Sequence, residues 1–454
     1  MLPINEESRK WWILIAMGAV AGLIMLDETV VGVALPTVRR DLGMSEVASH
    51  WVIGAYMLVF TGTAAAGGKM GDVIGFKSLV LVGGAVFGLT SLAAGFAEGG
   101  AFLIAARAVQ GVGAAVIFPA TIAMVTIVFP KQQRGMAIGI LAAIGTMFLA
   151  VGPLVGGFLT EIISWRWIFW INVPLVALIV LIVLAVWVDP PRHGKRPAFD
   201  YGGLVTLVAG LGMLVFAIMQ GATRGWTQVL ILAFLAGGVA VLALFVFIER
   251  RRDAPLIEVD LFRIAAFSAY NLVFFAGQFS KIAIVVFGAL YLQDDLGMSP
   301  LVAGLALLVS VAAFPILSAP VGRLADKHGA RSPVLGGLAV ATLALFWIAL
   351  AATWDSYALL APGLLIWGGG MSFCYAPALR AMANSVPQEK QGQTSGIGVT
   401  SRLLGGTIGV AVCSTLFVMT GSFQVVLLAA GGIMLAALVF GWFAIERQDT
   451  TQAP

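Results

Sequence analysis

Five ionisable side chains interrupt stretches of sequence that are otherwise apolar: Asp27, Glu28, Arg107, Lys281 and Arg402. A charge held in hydrocarbon costs roughly 2.5–3.5 kcal/mol on insertion scales, so each needs a reason to be there. A carboxyl group placed between burial, which favours its neutral form, and a guanidinium, which favours its ionised form, takes up or releases a proton when either neighbour moves. Asp27 or Glu28 supplies such a carboxyl and Arg107 the cation, giving a candidate proton-coupling trio. The competing reading is a structural ion pair. Lys281 shares a helical face with Asn271, Phe274 and Gln278 at spacings of three and four, a polar and aromatic stripe that reads as a substrate-cavity wall. Its alternative is a lysine near a helix end that snorkels to water. Tyr56 and Arg402 are further candidates for that wall, with helix packing the alternative for Arg402.

The elements that must hold these residues follow from composition. Of 454 residues, 60% are hydrophobic and 11% charged, with a mean hydropathy of +1.01. Soluble domains run at roughly 45–50% apolar and 25% charged. A helical crossing needs about 20 mostly apolar residues. Breaks at Gly, Pro and charge divide the sequence into fourteen such runs, from Trp11–Pro36 to Phe423–Ala444. The fold class is therefore an all-α integral membrane protein with fourteen transmembrane helices, and too little chain remains for a soluble catalytic domain. Not an enzyme is the reading.

The net charge of +4 is topological. With the N-terminus inside, inner loops collect Lys69, Lys77, Lys131, Arg134, Arg192, Arg250, Arg251 and Arg252 among others, whereas outer loops hold only Arg39, Arg40, Arg166 and Arg224. Both termini are then cytoplasmic, and nucleic acid has no support as a partner. Cys374 and Cys413 fall in apolar runs and read as small buried hydrophobes. His50, His193 and His328 lack metal-site spacing and read as loop or helix-end residues. No GxxxxGK[ST] loop occurs, so no nucleotide cofactor is expected and the energy source is an ion gradient, protons in the reading adopted here.

The sequence also repeats. DLGMS occurs at Asp41–Ser45 and at Asp295–Ser299, and GKMGDVIGFK (Gly68–Lys77) pairs with GRLADKHGAR (Gly322–Arg331), both at an offset of 254. The longer pair reads as short inner loops, with Gly68, Asp72, Lys77, Asp326 and Arg331 as candidate gating residues. Gly152, Pro153, Gly156 and Gly157 remove bulk and one backbone donor; gating and plain helix packing are both open to them. Two six-helix halves repeat after eight helices, which predicts a 6 + 2 + 6 arrangement: residues 1–188, a two-helix insert with basic flanks at 189–260, and 261–454. Asp27 and Lys281 stand at equivalent positions, and we expect them to face one another across a central cavity and exchange partners. Arg107 has no charged counterpart; the position expected to align with it is Leu365.

GKMGDVIGFK resembles the signature loop of the major facilitator superfamily. LDETVVGVALP (Leu26–Pro36), RAVQGVGAA (Arg107–Ala115), GPLVGG (Gly152–Gly157) and WRWIFWINVP (Trp165–Pro174) resemble its fourteen-span drug:proton antiporter branch. The resemblance implies the major facilitator fold and a proton-coupled efflux antiporter in a bacterial inner membrane, exporting small amphipathic molecules by alternating access as a monomer. Proton-coupled uptake, lipid transport on the same scaffold and a non-transporting sensor are the alternatives. The chain departs from the usual pattern at Val73 and Phe76, where basic residues are common, at Gly32 in place of Asn, at Glu28, and at Phe148 in place of a glycine.

Overall fold

Lipid offers no hydrogen bonds, so a crossing segment must satisfy its own backbone groups, and a helix does this within one stretch of chain. The computed structural model describes residues 6–189, 200–252, 255–386 and 391–445; the described secondary structure is helical, without a strand. It contains 14 helices long and apolar enough to cross a membrane. The first six are α1 (Glu6–Asp41), α2 (Glu46–Ile74), α3 (Phe76–Gly95), α4 (Gly100–Val128), α5 (Arg134–Phe158) and α6 (Trp167–Val186). Next come α7 (Tyr201–Arg224) and α8 (Val229–Glu249), then α9 (Ala265–Asp295) and α10 (Pro300–Val311, continuing as Ala313–His328). The last four are α11 (Arg331–Ala351), α12 (Tyr357–Asn384), α13 (Gln391–Thr420) and α14 (Phe423–Ala444).

The duplicated motifs do the same physical work twice. Ser45 and Ser299 cap α2 and α10, each side chain accepting a backbone N–H three residues on, at 3.3 and 3.4 Å. Gly43 and Gly297 just before them take φ +57° and +64°, a left-handed conformation that glycine adopts without steric cost. The signature segments differ from the expected loops. They are mostly helical, forming the last turns of α2 and α10, and the chain turns at Gly75 (φ +91°) and Gly329 (φ +75°), again 254 apart. His50 is likewise helical, and buried near the start of α2.

The chain divides into two compact units, residues 1–214 with 236–256, and residues 215–235 with 257–454. Helices α7 and α8 each contribute to both. Within the first unit α4 packs on α1, α2 and α3, α1 on α5 and α6, and α3 on α6. Within the second, the same set of pairs recurs: α12 on α9, α10 and α11, α9 on α13 and α14, and α11 on α14. Close approach of backbones at small residues sets these contacts, as expected where no hydrophobic force separates helix from lipid. A side chain at Gly111 would meet the Tyr56 carbonyl, and one at Gly368 the Ser310 carbonyl; Gly113 and Gly370 stand equally close to the backbones of α3 and α11.

Candidate functional site

The candidate site is a buried charge network in the first unit. Arg107 Nη1 donates to Asp27 Oδ2 at 2.7 Å and to Gln110 Oε1 at 2.7 Å, and Arg107 Nε donates to the Val52 carbonyl at 3.1 Å. The Tyr56 ring lies under the guanidinium, 4.1 Å from ring centroid to carbon, with Phe169 at 5.7 Å on a second side. Gln110 Nε2 donates to Ser91 Oγ at 2.7 Å and, more weakly, to Asp27 Oδ1 at 3.4 Å. Asn172 Nδ2 donates to Ser91 Oγ at 3.3 Å and reaches Asp27 Oδ1 at 3.5 Å. Asp27 and Arg107 are each 1% exposed, and Gln110, Ser91, Asn172 and Tyr56 are as deeply buried. A carboxyl group and a guanidinium therefore share a site closed to solvent, tied to five helices: α1, α2, α3, α4 and α6.

The sequence brings these groups together for identifiable reasons. Arg107 and Gln110 are three apart on α4 and so share a face. Gly152 and Gly156 let α5 lie against α1 beside the acids, where a side chain at Gly152 would strike the Thr29 hydroxyl and one at Gly156 the Val30 carbonyl. Phe148 covers Gly22 in the same way, so the missing glycine of α5 is matched by a glycine on α1. Glu28 is buried as well, and as the next residue on the helix it points about 100° round the axis from Asp27.

In the second unit, Lys281 is buried at the middle of α9 rather than near a helix end. Gln278 is buried one turn before it. Asn271 Oδ1 accepts from Ser401 Oγ at 2.8 Å, and Phe274 stacks on Tyr375 with centroids 6.0 Å apart. Arg402 is half-buried on α13. Tyr56, read from sequence as cavity lining, packs instead on Arg107 and belongs to the charge network. The glycine contacts also revise one alignment. Gly111 and Gly113 match Gly368 and Gly370 at an offset of 257, so Arg107 corresponds to buried Leu364, not to the exposed Leu365.

The gating candidates occupy helix ends. The Lys77 backbone N–H donates to Asp189 Oδ1 at 3.2 Å, an acid capping the start of α3, and Asp189 also accepts from Trp187 Nε1 at 2.7 Å. Arg331 Nη2 donates to the Trp442 carbonyl at 2.9 Å, tying α11 to the last turn of α14. Pro153 and Gly157 are buried within α5. The side chains at positions 68, 72 and 326 (Gly68, Asp72 and Asp326) lie outside the described residues. Sequence reasoning missed Ser91, Gln110 and Asn172. The last two lie inside the RAVQGVGAA and WRWIFWINVP motifs, which was the available signal.

A family model described as Major Facilitator Superfamily matches residues 17–250, 200–410 and 267–454. The chain belongs to the major facilitator superfamily. It is thus a multi-pass membrane protein of a transporter family. It is 34% identical over 400 residues to the Multidrug resistance protein Stp of Mycobacterium tuberculosis, covering 88% of this chain and 74% of that one. To the Puromycin resistance protein pur8 of Streptomyces alboniger it is 34% identical over 471 residues, covering 98% and 93%. To the Cephamycin export protein CmcT of Amycolatopsis lactamdurans it is 35% identical, covering 88% and 83%. The crystal structure of a D-xylose-proton symporter superposes with TM-score 0.69 at 14% identity, covering 96% and 98%, and at that identity the likeness is one of fold. Kinship with resistance and export members of this superfamily is consistent with the drug-efflux branch that the motifs resemble.

Proposed function

We propose that this chain is a proton-coupled antiporter that exports small amphipathic molecules by alternating access, with Asp27 as its proton carrier and Arg107 as its switch. The observation that carries the reading is the buried Asp27–Arg107 pair with its amide and hydroxyl partners. While Asp27 is ionised, the pair is neutral overall and its remaining valences are met. A proton arriving on Asp27 leaves the guanidinium uncompensated in a medium of low polarity, which is strongly unfavourable. The unit relieves this by rearranging until Arg107 meets water or substrate, and that coupling of charge to shape is what antiport needs. A flip of the Asn172 amide would turn its Oδ1, which has no hydrogen-bond partner among the described residues, toward the new carboxyl O–H.

The export direction rests on the relatives, whose names are those of resistance and export proteins. Glu28 is a second carboxyl on the same helix, and Lys281, its stripe and Arg402 are proposed to meet cargo. The equivalence of positions 27 and 281 motivates a partner exchange between Asp27 and Lys281 during the cycle. A bacterial inner membrane, with both termini cytoplasmic, follows from the bacterial relatives and the basic loops. The test is proton flux in liposomes holding the purified chain against cationic, anionic and neutral compounds. At least one class must drive proton release by the wild type and fail with Asp27→Asn. If no class does so, or Asp27→Asn and Glu28→Gln both still pump against a gradient, the assignment is wrong.

A further inference from the structure

A large cavity lies in the second unit, far along the chain from the charge network. It measures about 1170 Å³ and is walled by the first turns of α9 and α11 and the last turns of α12 and α14. That exceeds the roughly 300–1,000 Å³ of pockets for drug-sized ligands. One end is polar, with Arg331, Ser332, Asn384 and Ser385, and the other runs up an apolar wall. A smaller cavity sharing Gly329, Ala330, Ala381 and Asn384 adds Arg380 to the polar end.

Three features point to an anion there. Helix α11, 21 residues long, begins at this end with no side chain capping its N-terminus, so its first N–H groups are open to a negative ligand. Arg331 is committed by one bond only, to the Trp442 carbonyl. Tyr270 is 5% exposed, lines the cavity, and its hydroxyl has no hydrogen-bond partner among the described residues. A ligand oxygen in the cavity would supply that partner. The apolar wall says what kind of anion. Val439, Trp442 and Phe443 are 51%, 58% and 81% exposed on the outer face of a helix that crosses the membrane, so the cavity borders on acyl chains. Basic pockets between membrane helices near the cytoplasmic surface suit anionic headgroups.

We infer that this cavity binds an anionic phospholipid, its phosphate held by Arg331, the α11 N-terminus and the Tyr270 hydroxyl, and one acyl chain lying along Leu335, Ala339 and Val439. This site is independent of the transport assignment and would stand if that assignment failed. The full-length chain in detergent is titrated with short-chain phosphatidylglycerol, short-chain phosphatidylcholine and inorganic phosphate, read by native mass spectrometry and by thermal shift. Phosphatidylglycerol should bind about tenfold tighter than phosphatidylcholine: both carry the phosphate, but the choline cation offsets its charge and is repelled by Arg331. Arg331→Gln should erase that preference, Arg331→Lys should keep part of it, and Tyr270→Phe should weaken it. Gly336→Phe, at a position where nothing lies within 4 Å of an added carbon, fills the cavity without a clash and should abolish binding of the folded protein. Equal affinity for the two lipids, phosphate competing as well as the lipid does, or phosphatidylglycerol binding unchanged in Gly336→Phe would each overturn the inference.

Discussion

The two halves of this transporter are built alike and carry different chemistry. Their helix pairings match, their capping serines and left-handed glycines recur at one spacing, and their glycine contacts against backbone carbonyls correspond. At the positions of the charge network the halves part. Asp27 is answered by Lys281, Arg107 by Leu364, Gln110 by Trp367 and Ser91 by Leu345. Backbone geometry has been held in both copies while the titratable pair is present in one. The difference teaches that the scaffold and the charge network are separable, since the second half keeps the same helix pairings without the Asp27–Arg107 pair.

The comparison can be broken most forcefully at Arg107. Arg107→Ala leaves a buried carboxylate without its cation and should cost about 3–5 kcal/mol. Leu364→Ala, its counterpart, removes only packing and should stay near the lower end of the roughly 2–5 kcal/mol seen for large-to-small core changes. Unfolding of the purified protein in detergent reads both, and Asp27→Asn combined with Arg107→Gln should recover much of the first loss. Gln110→Leu should cost about 1.5–3 kcal/mol, the range for hydrogen bonds to charged groups, and slow transport as Asp27 loses one of its two bridges to Ser91. Should Gln110→Leu leave turnover untouched, the network is only packing.

Scaffold equivalence is sharpened by matched changes. Gly111→Val and Gly368→Val each force a side chain onto a backbone carbonyl of the neighbouring helix and should cost the same, about 1–3 kcal/mol. Smallest are the caps: Ser45→Ala and Ser299→Ala should each lose about 1 kcal/mol. A large inequality within either pair, measured by the same unfolding assay, would show that the halves are not energetically alike.

Much of this was legible in the sequence because membranes make composition expensive to violate. Fourteen apolar runs became fourteen helices, and the cost of burying charge singled out Asp27 and Arg107, which do pair. Neutral partners were harder to see, since Ser91, Gln110 and Asn172 cost little in a helix and carry no periodic signature. The signature segments were read as loops because they are charged and glycine-rich, yet the helices run on to Gly75 and Gly329. Leu365 was expected opposite Arg107, and only the backbone contacts of Gly368 moved the match by one residue to Leu364. Tyr56 gave no hint in sequence that its ring lies under a guanidinium on α4.

The central claim, that Asp27 carries the proton, is tested most directly by comparing two modes of transport in vesicles holding Asp27→Asn. Exchange of labelled for unlabelled substrate needs no net proton movement, whereas accumulation driven by a pH gradient does. The account predicts that Asp27→Asn keeps exchange and loses gradient-driven accumulation. Accumulation that persists in this variant at the wild-type level would contradict it.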